Sequence, residues 1–86
     1  MEKTMSGDPM WREIQAEYAS AMAKFPPFAS AHEGYAVLLE EVDELWDEIK
    51  RKHQDPRAMR REAIQISAMA LRFICDVVEP MMDDAT

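Results

Sequence analysis

The chain has 86 residues, 17 acidic against 10 basic, giving a formal net charge of −7 and a pI near 4.7. That length holds one domain, and so small a fold hides only about 60–65% of its unfolded surface, so it leans on a disulfide, a metal or a partner. The single cysteine, Cys75, excludes an intramolecular disulfide framework, fits a reducing, cytoplasmic setting and leaves a thiolate zinc site poorly supplied. An oxygen-ligated metal, oligomerisation, or both remain. The acidic balance argues against nucleic acid as a partner, since backbone binding needs a basic footprint. It does not exclude a nucleotide approaching through a divalent cation. No apolar run nears the roughly 20 residues that span a membrane. The segment Met1–Pro9 has no apolar core and does not read as a signal peptide. With 48% hydrophobic residues and two glycines, the composition fits neither disorder nor an all-β fold.

Proline divides the chain into helices. Asp8-Pro9 reads as an N-cap followed by the first helical position, and Met10, Ile14, Tyr18, Met22 and Phe25 then follow a helical period. Pro26-Pro27 ends this helix, predicted over about 9–25. Ser30, with Glu33 three residues on, has the capping-box pattern and opens a helix predicted over 30–52. Asp55-Pro56 repeats the cap-then-proline start for a third helix over 56–79, stopped at Glu79-Pro80. Segments 1–7 and 81–86 are expected to be mobile tails. The fold class is all-α: a three-helix protomer with a long helical hairpin, assembling into an oligomeric helical bundle. Helix two is split lengthwise, with Tyr35, Leu38, Leu39, Val42, Leu45, Trp46 and Ile49 opposite an acidic side. Helix three is apolar nearly all round, which places it near a core shared between copies. Trp46 and Cys75 are expected inside.

The strongest chemical signal is Glu40-Glu41-Val42-Asp43-Glu44. Residues three and four apart share a helical face, so Glu41 and Glu44 are neighbours, as are Glu40 and Glu44. Such like-charge pairs cost several tenths of a kcal/mol each. A hard divalent cation reverses that cost. The plainer alternative is a solvated acidic face. Helix three adds a polar stripe of Glu62, Gln65, Arg72 and Asp76, and polar groups among apolar ones need partners. An antiparallel hairpin brings Glu62 and Gln65 towards Glu41 and Glu44. The competing account is an ordinary interhelical network, with Arg72 paired to a glutamate of helix two.

Glu40-Glu41-Val42-Asp43-Glu44, a spacer of seventeen residues, and Glu62-Ala63-Ile64-Gln65 resemble the signature of the all-α nucleoside triphosphate pyrophosphohydrolases of the MazG-like type. The stretches HEGYAVLLEEVDELWDEIK and REAIQISAMALRFICDV look like the small phage-type and bacterial members, and the likeness spans about Ser30 to Val78. The resemblance implies cleavage of a (d)NTP between the α and β phosphates, giving the monophosphate and pyrophosphate. It implies Mg²⁺ or Mn²⁺ as cofactor and a homodimer or homotetramer. By position, Glu41, Glu44 and Glu62 would be metal ligands, and Glu40 a ligand or water-activating base. Gln65 stands where the family carries Asp, so that ligand contributes an amide oxygen without charge.

Cations for the phosphates would come from Arg57, Arg60 and Arg61, which crowd the first turns of helix three where the dipole disfavours them. Lys50, Arg51 and Lys52 end helix two, where ordinary dipole capping also explains them. Phe28 and His32 are candidates for the base, Phe28 from its loop and His32 from the first turn of helix two. The rival function is a helical interaction module of the same fold, catalytically impaired or non-enzymatic, with Gln65 as the trace of lost metal binding.

Overall fold

A computed structural model describes residues 8–84. The expected tails 1–7 and 85–86 lie outside the described residues. Three long helices form, each from local capping chemistry. Helix α1 spans Pro9–Lys24, and the Asp8 carboxylate accepts the Met10 N–H at 2.8 Å. Helix α2 spans Ala31–Ile49; Ser30 Oγ accepts the Glu33 N–H at 3.1 Å, and Glu33 Oε1 reaches back to the Ala29 N–H at 2.6 Å. Helix α3 spans Pro56–Phe73, with Asp55 accepting the Arg57 N–H at 3.0 Å. No strand occurs among the described residues, and none of their helices is long and apolar enough to cross a membrane.

Two helix ends differ from expectation. Helix α2 stops at Ile49 rather than Lys52, because the connection to α3 turns at once. Gln54 Nε2 donates to the Ile49 carbonyl at 2.7 Å and satisfies one of the end groups. The chain does not stop at Glu79-Pro80 either. Helix α3 passes into a π-helical turn, Ile74–Val78, and then into a short helix α4, Glu79–Asp84. The Glu79 N–H donates to the Ile74 carbonyl, five residues back. This wider turn precedes Pro80, whose ring would meet the Asp76 carbonyl in a regular α-helix. Residues 81–84, expected as tail, are thereby helical.

Helix α3 lies between α2 and α1 and packs against both. Ala21, Phe28, Ala68, Met69 and Val77 form the core, with Tyr18, Val37, Leu38 and Phe73 against it. Helix α2 approaches α3 closely at Gly34. A Cβ there would lie 2.6 Å from Phe73 Cδ2 and 3.1 Å from Phe28 Cδ2, so the position has room only for hydrogen. Helix α3 is thus covered from two sides within its own chain. The large uncovered apolar surface lies elsewhere. Trp46, expected in the core, is exposed on α2, because the apolar face of α2 is wider than one neighbouring helix covers. Cys75 is also exposed. On α1, Ile14 and Ala21 are buried, whereas Met10, Met22 and Phe25 remain open.

Candidate metal centre and adjoining clefts

The antiparallel arrangement of α2 and α3 brings Glu62 beside the acidic side of α2. One carboxylate oxygen from each of Glu41, Glu44 and Glu62 lies within 4.8 Å of the others. Glu41 and Glu62 are half-buried and Glu44 is exposed. Burial, then the charges of Glu44 and Glu62, push the Glu41 carboxyl up to about 7. The Glu62 carboxyl is also raised, first by burial and then by Glu44 and Glu48, with Arg61 opposing. Glu41 and Glu62 therefore share a space that neither occupies comfortably when ionised. Oxygen donors of this number and spacing fit a hard divalent cation, which keeps some of its waters.

One cleft borders the cluster at Glu41, and a second adjoins the first. The first, about 600 Å³, runs from Glu40 and Glu41 to Phe25, Pro26, Phe28 and Arg72. Val37 and Met69 supply apolar wall. The second, about 560 Å³, lies between α1 and α3 and is lined by Arg57, Arg60 and Arg61 together with Glu13. Glu17 and Gln65 line both, so the clefts adjoin there.

At the far end of the first cleft, Arg72 is 4% exposed. Its guanidinium sits 4.2 Å from the centre of the Phe28 ring and 6.0 Å from that of Phe25. Nη2 donates to the Pro26 carbonyl at 2.9 Å and lies 3.7 Å from Asp76. Asp76 in turn accepts the Phe28 N–H at 3.1 Å. The pair staples the α1–α2 loop onto α3. Arg72 Nε is buried and has no hydrogen-bond partner.

The chain matches no family model, no curated protein and no solved structure. The site is therefore read from its own geometry.

Of the residues singled out by sequence, Glu41, Glu44 and Glu62 converge, and Glu40 stands at the rim of the first cleft. Gln65 faces the junction of the clefts. Arg57, Arg60 and Arg61 share the second cleft, but Arg60 is engaged by Glu13 through bonds of 2.9 and 2.6 Å. Lys50 pairs with Asp47 at 3.2 Å and lines neither cleft, in keeping with ordinary pairing at a helix end. His32 is exposed and lines neither. Phe28 is buried with a ring face against Arg72, so it is a floor rather than an open stacking platform. Arg72 pairs with Asp76 and the loop, not with a glutamate of α2. Sequence reasoning passed over Phe25, Pro26 and Val37 as cleft residues. Phe25 closes the apolar pattern of α1 just before Pro26-Pro27, and that was the available signal.

Proposed function

We propose that the protein is a metal-dependent nucleoside triphosphate pyrophosphohydrolase, converting a (d)NTP and water to the (d)NMP and pyrophosphate. The observation that carries this reading is the convergence of Glu41, Glu44 and Glu62 beside a cleft with apolar and aromatic walls. The likeness of the two acidic segments to the MazG-like pyrophosphohydrolases supports it. Glu41, Glu44 and Glu62 would hold Mg²⁺ or Mn²⁺, with Gln65 adjacent. When bound, such an ion neutralises phosphate oxygens and lowers the pKa of water.

The protein's own part is positioning and electrostatics. Phe25, Val37 and Met69 would take the base in the first cleft, over the Phe28–Arg72 floor. Gln65, at the junction, directs the phosphate chain towards Arg57 and Arg61, which form no ion pair among the described residues. Glu40, which lines the first cleft, would orient or deprotonate the attacking water. Homo-oligomers are part of this reading. A specific observation keeps the rival in view: the cluster has three carboxylates, with neutral Gln65 nearby, which suits an interaction module that has lost turnover.

Incubation with each NTP and dNTP, with Mg²⁺ or Mn²⁺, separates the two. Pyrophosphate release is expected, and Glu41→Gln should cut it at least 100-fold while sparing the fold. A folded protein that turns over no triphosphate is the interaction module instead.

A further inference from the structure

Arg72 carries a donor that the fold leaves unused. The residue is 4% exposed, yet it lines the first cleft. Of the N–H groups on its guanidinium, those of Nη2 reach oxygen, at the Pro26 carbonyl and towards Asp76. Nη1 has the Met69 sulfur, at 3.9 Å, a weak acceptor. Nε is closed off from solvent and has no partner. A buried donor without an acceptor is costly, and native folds seldom leave one. Arginine cannot shed its proton to escape that cost. The cleft is the side from which an acceptor can arrive.

The lining of the cleft selects the kind of acceptor. Glu17, Glu33, Glu40 and Glu41 line it against two cations, Lys24 and Arg72. Such a lining repels a free anion and suits a neutral group with an acceptor edge. It also offers acceptors to that group's own donors. Glu17 is half-buried on α1 and makes no hydrogen bond or ion pair among the described residues. Glu33, by contrast, commits one oxygen to the Ala29 N–H. The ring of Phe25, 57% exposed, supplies a flat apolar surface of the kind on which a heterocycle stacks.

We propose that the first cleft reads a guanine base, with Arg72 donating to O6 and N7 and Glu17 accepting from N1–H and the 2-amino group. This deepens, and rests on, the reading of that cleft as the base-binding half of a nucleotide site; it adds which base. Guanine places two acceptors on one edge, the commonest specific partner of arginine. Its two neighbouring donors match a carboxylate, which only accepts. Adenine carries its 6-amino donor where guanine has O6, so donor would face donor. Cytosine and uracil lack N7 and offer the carboxylate a single donor group. The register along α3 is suitable. Glu62 and Arg72 stand ten residues apart, about 15 Å of helical rise. A nucleoside and its first phosphate fill that length once both side chains reach inward.

Nuclear magnetic resonance titration of the isotope-labelled full chain, free of metal, tests it. The probes are guanosine, inosine, adenosine and cytidine, so that neither phosphate nor metal takes part. Guanosine should shift the Arg72 Nε–H resonance and bind at least about 10-fold more tightly than adenosine or cytidine. That resonance is assigned through the Arg72 side chain itself, so no variant at the buried anchor is needed. Inosine keeps O6 and N7 but lacks the 2-amino group. It should still shift the Nε–H and bind with intermediate strength. Glu17→Ala, at a helical position that alanine favours, should keep the fold and make guanosine and inosine bind alike. Guanosine that leaves the Nε–H unmoved, or binds no more tightly than adenosine, overturns the proposal and leaves Nε to a buried water. A Glu17→Ala protein that still prefers guanosine to inosine overturns the part given to Glu17. The two readings fail separately. Pyrophosphate release with no preference for guanine nucleotides sinks this inference alone. Guanosine binding without turnover of any triphosphate sinks the hydrolase and leaves the guanine subsite standing.

Discussion

The polar stripe of α3 has two ends that solve opposite problems. At the C-terminal end, Arg72 and Asp76 are buried as a pair of opposite sign. They use the Pro26 carbonyl and the Phe28 N–H to satisfy most of what burial left open. At the N-terminal end, Glu62 meets Glu41 and Glu44, three groups of one sign, with Arg61 acting against the rise at Glu62. The first end is complete within the chain and holds a loop in place. The second is incomplete, and its cost is recorded in the raised Glu41 and Glu62 carboxyls. The stripe thus divides into an anchor and a cluster of like charges, the cluster proposed above to hold an ion.

Breaking the anchor should have the largest effect. Asp76→Ala strands the buried Arg72 charge and the Phe28 N–H, and should cost about 3–5 kcal/mol of stability by denaturant titration. If the loss is below about 1 kcal/mol, the value of an exposed pair, the anchor is not a buried structural element. Gly34→Ala sharpens the same point at the α2–α3 contact. Alanine favours a helix by about 1 kcal/mol over glycine. The 2.6 Å approach to Phe73 reverses this, and overpacking should leave a net loss of about 1–2 kcal/mol. A stabilised variant would contradict the close approach.

The acidic end predicts the opposite sign. Glu44→Gln removes a repelling charge and should stabilise the metal-free protein by several tenths of a kcal/mol. The pH dependence has the same origin. Glu41 has a folded pKa of about 7, above its ordinary value of 4.5. The folded state therefore binds more protons than the unfolded one between those values. This contribution to stability is full below about pH 4.5, falls as pH rises, and is gone above about pH 7. Metal-free wild type should lose stability across that window, and Glu44→Gln should lose less. Equal slopes would detach the shift from the cluster.

Much of this was legible in the sequence where the physics is local. The three helix starts follow from Asp8-Pro9, Ser30 with Glu33, and Asp55-Pro56, each settled within a few residues. The acidic cluster was legible because i, i+3 and i+4 spacing is local, and a hairpin needs only one further step to add Glu62. The anchor was not. Arg72 is 46 residues from Pro26 and Asp76 is 48 from Phe28, and no periodicity announces such bonds. Helix ends were harder than starts, because Gln54 and the π-helical turn before Pro80 act through the connection rather than the pattern. Trp46 was misplaced for a related reason: an apolar face shows that a residue seeks cover, not which neighbour covers it.

We propose that Glu41, Glu44 and Glu62 hold a divalent cation. Thermal melting of wild type and Glu44→Gln, each with and without Mn²⁺, tests it most directly. Mn²⁺ at about 100 times its Kd should stabilise wild type by about 2.7 kcal/mol and raise its Tm accordingly. Glu44→Gln should start from a higher Tm without the ion and gain little from it. Equal gains in the two proteins, or none in wild type, would contradict the account.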